Sequence, residues 1–298
     1  MEIRPPNGRN RRVEFHLDRL FNTAPFLKVA EQDSTHSRQD DPLATVLKQR
    51  TASCFTVAAI RYTTPPVLKN RATKPVNTVG TPYRFRLAKG FPIPDLPTDY
   101  PLSNERVALG RALFHETALS RDRTVSCASC HDQKHAFTDP KRFSLGVEDR
   151  VGGRNSMPLF NLAWKDRFFW DGRAPSLRAQ ALMPIEDHLE MDESLENVGA
   201  KLAKTKRYPA LFQKAFGSSA ITAEHLGIAI EQFLLTLTSY DSRFDRAARG
   251  DASLTDQEKR GFELFMTEYA PRRDLNGADC FHCHGGALFT DHRFHNNG

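Results

Sequence analysis

Apolar residues recur at helical rather than strand spacing along most of the chain after residue 100. Residues 104–114 carry apolar side chains at intervals of three and four, which predicts a helix. A short helix is predicted to start at Ser176 and to end at Pro184, because proline cannot continue a helix. The clearest pattern covers residues 221–244, where Thr222 is the predicted N-cap. One apolar stripe runs along this segment: Leu226, Ile230, Phe233, Leu234 and Leu237.

A further helix is predicted to begin at Thr255, because Thr255 and Glu258 have the spacing of a capping box. Its apolar side would bury Phe262 together with Phe265 or Met266. The alternation of apolar and polar residues that is typical of strands gives no convincing run anywhere in the chain. The predicted fold class is therefore mainly α.

The first part of the chain has no such pattern. Residues 1–80 are rich in Arg, Asn, Thr, Pro and Gln, and we expect them to be disordered or poorly packed. Their one apolar patch, residues 51–60, is too short and follows the wrong kind of sequence for a secretory signal. Four prolines then hold residues 91–101 in an extended form.

Composition limits the possible classes of function. A chain of 298 residues is long enough for two domains, each with its own core. No apolar run is long enough to span a membrane. The formal net charge is +6, but the basic residues are scattered rather than arranged in a stripe, so nucleic acid is not an expected partner.

Four of the five cysteines lie in two CxxCH motifs: Cys127, Cys130 and His131, and then Cys280, Cys283 and His284. A thioredoxin-like site would require a strand before the motif, and none is predicted. A zinc site shared by both pairs would join cysteines roughly 150 residues apart, far more than the usual spacing. Covalent haem uses two thiols on one porphyrin edge and the adjacent histidine as iron ligand. Only haem attachment explains both histidines, so it is the favoured interpretation.

Five segments over about 200 residues carry a resemblance to a known family. They are LGRALFHETALSRDRTVSCASCH, GGRNSMPLFNLAW, FFWDGRAPSLRAQALMPIEDHLEM, TLTSYDSRFDRAARGD and CFHCHGG. The chain from about residue 92 resembles the bacterial di-haem cytochrome c peroxidases, including their tryptophan-modifying methylamine-utilisation relatives. The resemblance implies two cytochrome c-like domains, residues 81–249 and 250–298. Because the chain ends fourteen residues after His284 and relatives continue further, we expect the second domain to be C-terminally truncated.

The resemblance also implies roles for single residues around the first haem. Cys127 and Cys130 would attach this haem, and His131 would bind its iron. Glu190 falls at the position of the family's distal acid–base carboxylate, and Gln180 at that of a neighbouring amide. Cleavage of an O–O bond needs a proton taken from one oxygen and delivered to the other, which a single carboxylate can do.

Further roles concern electron transfer and metal binding. Trp170 matches the tryptophan between the two haems, an electron relay, and Asn155 matches a residue near an inter-haem calcium site. Cys280, Cys283 and His284 would hold the second, electron-transfer haem. Many relatives have a blocking histidine in the loop before GGRN, where this chain has Val147. We therefore expect an open, five-coordinate first haem.

The expected function is reduction of hydrogen peroxide to water with electrons from a small cytochrome c or copper protein. The alternatives are a di-haem oxidase that modifies a protein or organic substrate through a high-valent haem, an electron-transfer cytochrome without catalysis, and a zinc-binding module. Because bacteria attach covalent haem outside the cytoplasm, the resemblance implies a periplasmic protein. Relatives are often dimers, so a homodimer is also expected.

Overall fold

The computed structural model describes residues 78–87 and 91–295 in full, and the backbone of three strands before them. The chain divides into two compact units, Met1–Arg71 and Ala72–Gly298. Both CxxCH motifs therefore belong to one unit.

The first unit contains a three-stranded antiparallel sheet in the order β1-β2-β3. Its strands are β1 (Glu2–Ile3), β2 (Arg9–Phe15) and β3 (Phe55–Tyr62), with a register shift in β2 between Arg12 and Val13. These strands depart from the sequence pattern, which predicted none. Most of residues 1–80 lie outside the described residues, so the expectation of disorder or poor packing there stays a prediction.

The described residues of the second unit form eight α-helices and one short hairpin, which confirms the mainly α fold class. The helices are α1 (Asn104–Phe114), α2 (Cys127–Cys130), α3 (Leu177–Glu186), α4 (Leu195–Ala203), α5 (Arg207–Phe216), α6 (Ala223–Leu235), α7 (Arg243–Arg249) and α8 (Asp256–Met266). The hairpin joins β4 (Tyr269–Ala270) and β5 (Leu275–Asn276). None of the helices in these ranges is both long and apolar enough to cross a bilayer.

The predicted helix starts are confirmed, and each has a local cause. Ser176 accepts a hydrogen bond from the Ala179 amide, and Thr222 accepts one from the His225 amide. Thr255 and Glu258 form the predicted reciprocal capping box at α8. Side chains at these N-caps satisfy amides that have no partner inside the helix.

Three details of the helix predictions are wrong. Pro184 does not end α3, which continues to Glu186 because Ile185 is fully buried and the Asp187 amide still reaches the Met183 carbonyl at 3.1 Å. The pattern over residues 221–244 is not one helix, because α6 ends at Leu235 and α7 begins at Arg243. On α8, Phe262 is exposed rather than buried; of the two alternatives, Phe265 is half-buried and Met266 is exposed. The capping signal for α8 is local, whereas burial depends on which other elements pack against it.

The core is centred on α6, which packs against α1 and α3. All ten residues from Leu226 to Leu235 are buried, so α6 has neighbours on every side rather than a single apolar stripe. Phe114 at the end of α1 and Ile230 and Leu234 of α6 form one wall of a cavity beside α2. The expected boundary between residues 249 and 250 coincides with the end of α7, and the division into two haem domains stays a prediction.

Candidate active site

The first CxxCH motif folds as a single helical turn. Residues three apart lie on the same side of a helix, so α2 places the Cys127 and Cys130 thiols on one side. The Ser126 amide donates to Ser129 Oγ at 3.0 Å, and the His131 amide donates to the Cys127 carbonyl at 3.0 Å. The motif is therefore held in a compact turn by its own backbone.

A cavity of about 420 Å³ opens beside this turn. The predicted site residues that line it come from four separate segments: Cys127, Cys130, His131, Asn155, Trp170, Gln180 and Glu190. The rest of the lining combines apolar side chains, among them Phe114, Met157, Leu159, Ile230 and Leu234, with polar ones, among them Arg154, Asp171, Arg173 and Asp187. Cofactor sites are likewise concave and combine apolar walls with polar groups that fix the orientation of the ligand.

His131 is prepared to act as a metal ligand. Its Nδ1 lies 2.8 Å from the Phe137 carbonyl, to which it donates, so in the neutral ring Nε2 carries the lone pair that can bind a metal. Ala136 and Phe137 both have left-handed backbone conformations, which turn the chain back over the ring. Burial lowers the pKa of His131 and favours the neutral imidazole, the form that binds metals.

The two thiols of the first motif are not poised for thiolate chemistry. Burial, with Cys130 beside it, raises the pKa of Cys127 to about 12. Burial also raises the pKa of Cys130. A redox-active CxxC lowers the pKa of its attacking thiol, so these values do not favour a thioredoxin-like site.

Glu190 lies in a turn after α3, residues 187–192, which is called the distal turn from here on. Its amide donates to the Asp187 carbonyl at 3.0 Å, and its side chain is half-buried in the cavity wall. Burial raises the pKa of Glu190, the Asp187 carboxylate raises it further, and Arg173 opposes both. A raised pKa makes this carboxylate a better proton acceptor than an ordinary glutamate, and the protonated group can return the proton.

Asp187 and Arg173 act on this site, and no sequence motif indicated either of them. Arg173 binds Asp171 at 3.1 Å within the WDGR segment. It also lines the cavity and acts electrostatically on Glu190. His188, two residues before Glu190, is exposed and is not among the groups that shift the pKa of Glu190. Only long-range packing brings residue 173 close to residue 190.

Gln180 is 7% exposed and faces the cavity from α3. Ala181 and Pro184, one and four residues further on, lie on the same side of the helix. The side-chain amide of Gln180 makes no hydrogen bond to another residue within 78–87 and 91–295. It is therefore available to a group bound in the cavity.

Trp170 and Asn155 are joined by a hydrogen bond, because the indole Nε1 donates to the Asn155 carbonyl at 2.8 Å. Trp170 lines the cavity, yet 54% of the residue is exposed. In the side chain of Asn155, Nδ2 donates to the Asp139 and Lys141 carbonyls, and Oδ1 accepts a hydrogen bond from the Thr138 hydroxyl. Asn155 thus ties three segments together, and its expected place near calcium stays a prediction.

The loop of residues 144–151 covers one side of the distal turn. Val147 occupies the position at which the resemblance places the blocking histidine of many relatives. It is completely buried and does not line the cavity. Ser144 and Gly146 are the residues of this loop that do. Neither offers a side chain that binds haem iron strongly.

The second CxxCH motif repeats the local geometry of the first in a more exposed setting. The His284 amide donates to the Cys280 carbonyl at 2.9 Å, and His284 Nδ1 lies 3.2 Å from the Phe289 carbonyl. Cys283 and His284 are exposed, and neither lines the cavity beside α2. The two motifs share a backbone design and differ in burial.

A zinc site built from both motifs would require their ligands to converge. Throughout the described part of the chain, no three His, Cys, Asp or Glu side chains are grouped as a metal site. The arrangement does fit haem attachment at the first motif. Two thiols, a histidine whose Nδ1 donates to a carbonyl, and a buried amide without a side-chain partner among the described residues all border one cavity.

Comparisons with known proteins agree with this geometry. The family model described as di-haem cytochrome c peroxidase matches residues 104–253. The methylamine utilization protein MauG of Methylorubrum extorquens is 41% identical over 217 residues, covering 72% of this chain and 58% of that protein. Cytochrome c peroxidase Ccp of Escherichia coli is 35% identical over 205 residues, covering 68% and 42%. A crystal structure of a MauG-like protein associated with microbial copper homeostasis has a TM-score of 0.63 at 31% identity, over 72% of this chain and 62% of that one. The chain spans less than two thirds of the length of these relatives.

Proposed function

Because the chain belongs to the di-haem cytochrome c peroxidase family, we propose that it reduces hydrogen peroxide to water in the cavity beside α2. Two covalent c-type haems would be attached, one through Cys127 and Cys130 and one through Cys280 and Cys283. His131 and His284 would be their iron ligands. When bound at His131, haem supplies the iron that binds peroxide and passes electrons to it.

The proton transfers are assigned to Glu190. Its carboxylate would take the proton from the peroxide oxygen nearest the iron and return it to the departing oxygen, which leaves as water. The observation that carries this assignment is that a half-buried carboxyl group with a raised pKa borders the same cavity as His131. Gln180, buried and without another partner in the described residues, would orient the peroxide by a hydrogen bond.

Electrons would reach the cavity by way of Trp170. The external donor would reduce the second haem, and Trp170 would pass the electrons on to the first. Trp170 borders the cavity and is also partly exposed, which suits a relay into the first site. Its hydrogen bond to the Asn155 carbonyl fixes the indole plane. The proposed donor is a small cytochrome c or copper protein that docks loosely, as transient redox partners do.

The first haem is proposed to be open to peroxide in the oxidised protein. The burial of Val147 supports this proposal, because the 144–151 loop then sends no strong iron ligand into the cavity. We further propose a periplasmic location, because covalent haem is attached outside the bacterial cytoplasm. Calcium near Asn155 and a homodimer remain part of the proposal by family resemblance alone.

A MauG-type oxidase acting on a protein or organic substrate is the second candidate. The 41% identity to MauG of Methylorubrum extorquens favours it. Both candidates use the same first site, and they differ in what supplies or accepts electrons at Trp170.

The test uses the protein matured by c-type haem attachment, with the haem count read as the pyridine haemochrome. Two haems per chain are expected, followed by peroxide-dependent oxidation of reduced cytochrome c. Glu190→Gln should lower this turnover by about 10²–10⁴-fold with an unchanged haem count. The matched control is Glu186→Gln, an exposed carboxylate at the end of α3, which should leave turnover unchanged. Full turnover in Glu190→Gln would refute the assigned role. A wild type that consumes peroxide but does not oxidise reduced cytochrome would favour the oxidase.

A further inference from the structure

We propose that Arg150 is a positioning residue that holds the distal turn, and with it Glu190, in place. The expected effect on catalysis rests on the proposed function. The contact between Arg150 and the distal turn does not depend on it. Arg150 lies at the end of the 144–151 loop and lines no part of the cavity. It can therefore act on the reaction only through the residues it contacts.

Arg150 binds the distal turn at two points. One guanidinium nitrogen, Nη1, donates to the His188 carbonyl at 2.7 Å and to Asp192 Oδ2 at 2.9 Å. These acceptors lie two residues before and two residues after Glu190, so a single planar group joins both ends of the segment that carries the carboxylate. Hydrogen bonds from a charged donor are shorter and stronger than those between neutral groups.

A backbone contact lies between these two points. The Val147 amide donates to the Glu190 carbonyl at 2.8 Å, and the Gly146 amide donates to the Arg150 carbonyl at 2.8 Å. Gly146 approaches so closely that an added Cβ would lie 2.1 Å from the Leu189 carbonyl oxygen and 2.4 Å from that of Glu190. The loop and the turn are thus in direct contact along the stretch that Arg150 spans.

Other charges keep the Arg150 guanidinium oriented. Its Nη2 binds Glu148, which also pairs with Arg121, and Arg121 Nε lies 3.4 Å from Asp192. Arg121 also donates its amide to the Met191 carbonyl at 2.9 Å. A single exposed ion pair contributes little to stability. A network in which each charge has two partners holds its side chains in place better than isolated pairs do. Among the described residues the Arg121 side chain pairs with carboxylates and with no carbonyl, so its removal should have the smaller effect.

Loss of Arg150 should release the distal turn without opening the core. A displacement of about 1 Å at a catalytic group can cost on the order of a hundredfold in rate. Arg150→Ala should therefore lower peroxide turnover by about 10- to 100-fold. Lysine keeps the charge but not the planar fork, so Arg150→Lys should fall between Arg150→Ala and the wild type.

The experiment combines a double-mutant cycle with hydrogen exchange on the haem-loaded protein. Arg150→Ala is made in the wild type and in Glu190→Gln, and both turnover and exchange of the Val147 amide are measured. Exchange at Val147 should become about tenfold faster in both backgrounds, because the charged hydrogen bonds that hold the contact are gone. Turnover should fall at least tenfold in the wild type but less than about twofold in Glu190→Gln, because the arginine acts through that carboxylate.

The matched control is Arg246→Ala, which removes an exposed 2.7 Å ion pair to Asp241 on α7 and should change neither quantity. Equal losses of turnover in both backgrounds, or unchanged exchange at Val147 in Arg150→Ala, would overturn the inference. Should Glu190→Gln itself keep full turnover, the proposed acid–base role fails. Exchange at Val147 then decides alone whether Arg150 holds the turn.

Discussion

Gly110 lies on α1 where this helix crosses α6, and its replacement by alanine is expected to destabilise the fold around the cavity. An added Cβ would lie 1.9 Å from the Ala229 carbonyl oxygen and 2.8 Å from Phe233 Cβ. The atom in closest conflict belongs to the α6 backbone and cannot rotate away. The two helices would have to move apart, and each contributes side chains to the cavity wall: Phe114 from α1, and Ile230 and Leu234 from α6.

Two opposing effects set the magnitude of this change. Alanine is favoured over glycine inside a helix by about 1 kcal/mol. Overpacking of a dense core typically costs about 1–3 kcal/mol. Because the conflict at Gly110 is with backbone, the upper end of that range applies, and the free energy of unfolding should fall by about 2 kcal/mol. For a unit of this size that corresponds to a decrease in Tm of about 4–8 °C.

Urea and thermal unfolding of the haem-loaded protein, followed by circular dichroism at 222 nm, would measure the effect. The matched control is Gly261→Ala on α8, where an added Cβ meets nothing within 4 Å. There the helix preference acts alone, so the control should lose no stability. If Gly110→Ala proved as stable as the wild type, the close crossing of α1 and α6 would not limit packing as argued.

Two further predictions concern buried carboxyl groups. Because the pKa of Glu190 is raised in the folded protein above its ordinary value of 4.5, this group contributes full stability below pH 4.5 and loses that contribution as pH rises through the folded pKa. Glu190→Gln should therefore raise the free energy of unfolding at pH 7 but not at pH 4, and an equal difference at both pH values would contradict this. On α6, buried Glu231 accepts from Arg178 Nε and Nη2 at 2.9 and 2.8 Å. Arg178→Met would leave the buried Glu231 carboxyl without its cation and should destabilise the fold by about 3 kcal/mol; a loss in urea unfolding no larger than that of Arg246→Ala would refute this.

Much of the candidate site followed from the resemblance and from short-range pattern. The spacing of Cys127, Cys130 and His131 determines a compact turn whatever surrounds it, and the second motif repeats the same backbone bonds while largely exposed. The functional assignment of Glu190 came from the family pattern, since several acidic residues crowd the same stretch. Nothing in the sequence distinguishes residue 190 from its neighbours physically.

The tertiary structure decided how these pieces meet. It brings Arg173 and Asp187 to bear on Glu190, buries Val147 away from the cavity, and joins Arg150 to the distal turn. Each of these three features depends on contacts between residues that are far apart in the chain. No local sequence pattern specifies which distant residues meet.

The helices show the same division. The starts of α3, α6 and α8 were predicted from the sequence, because an N-cap such as Thr222 satisfies amides only three residues away. Helices α4 and α5 were missed, α6 ends earlier than its pattern predicted, and Phe262 was wrongly predicted to be buried. Caps and motif turns are made by residues next to one another and can be read from the sequence. Burial and the electrostatic setting of a side chain depend on which distant elements pack against it, so only the folded chain decides them.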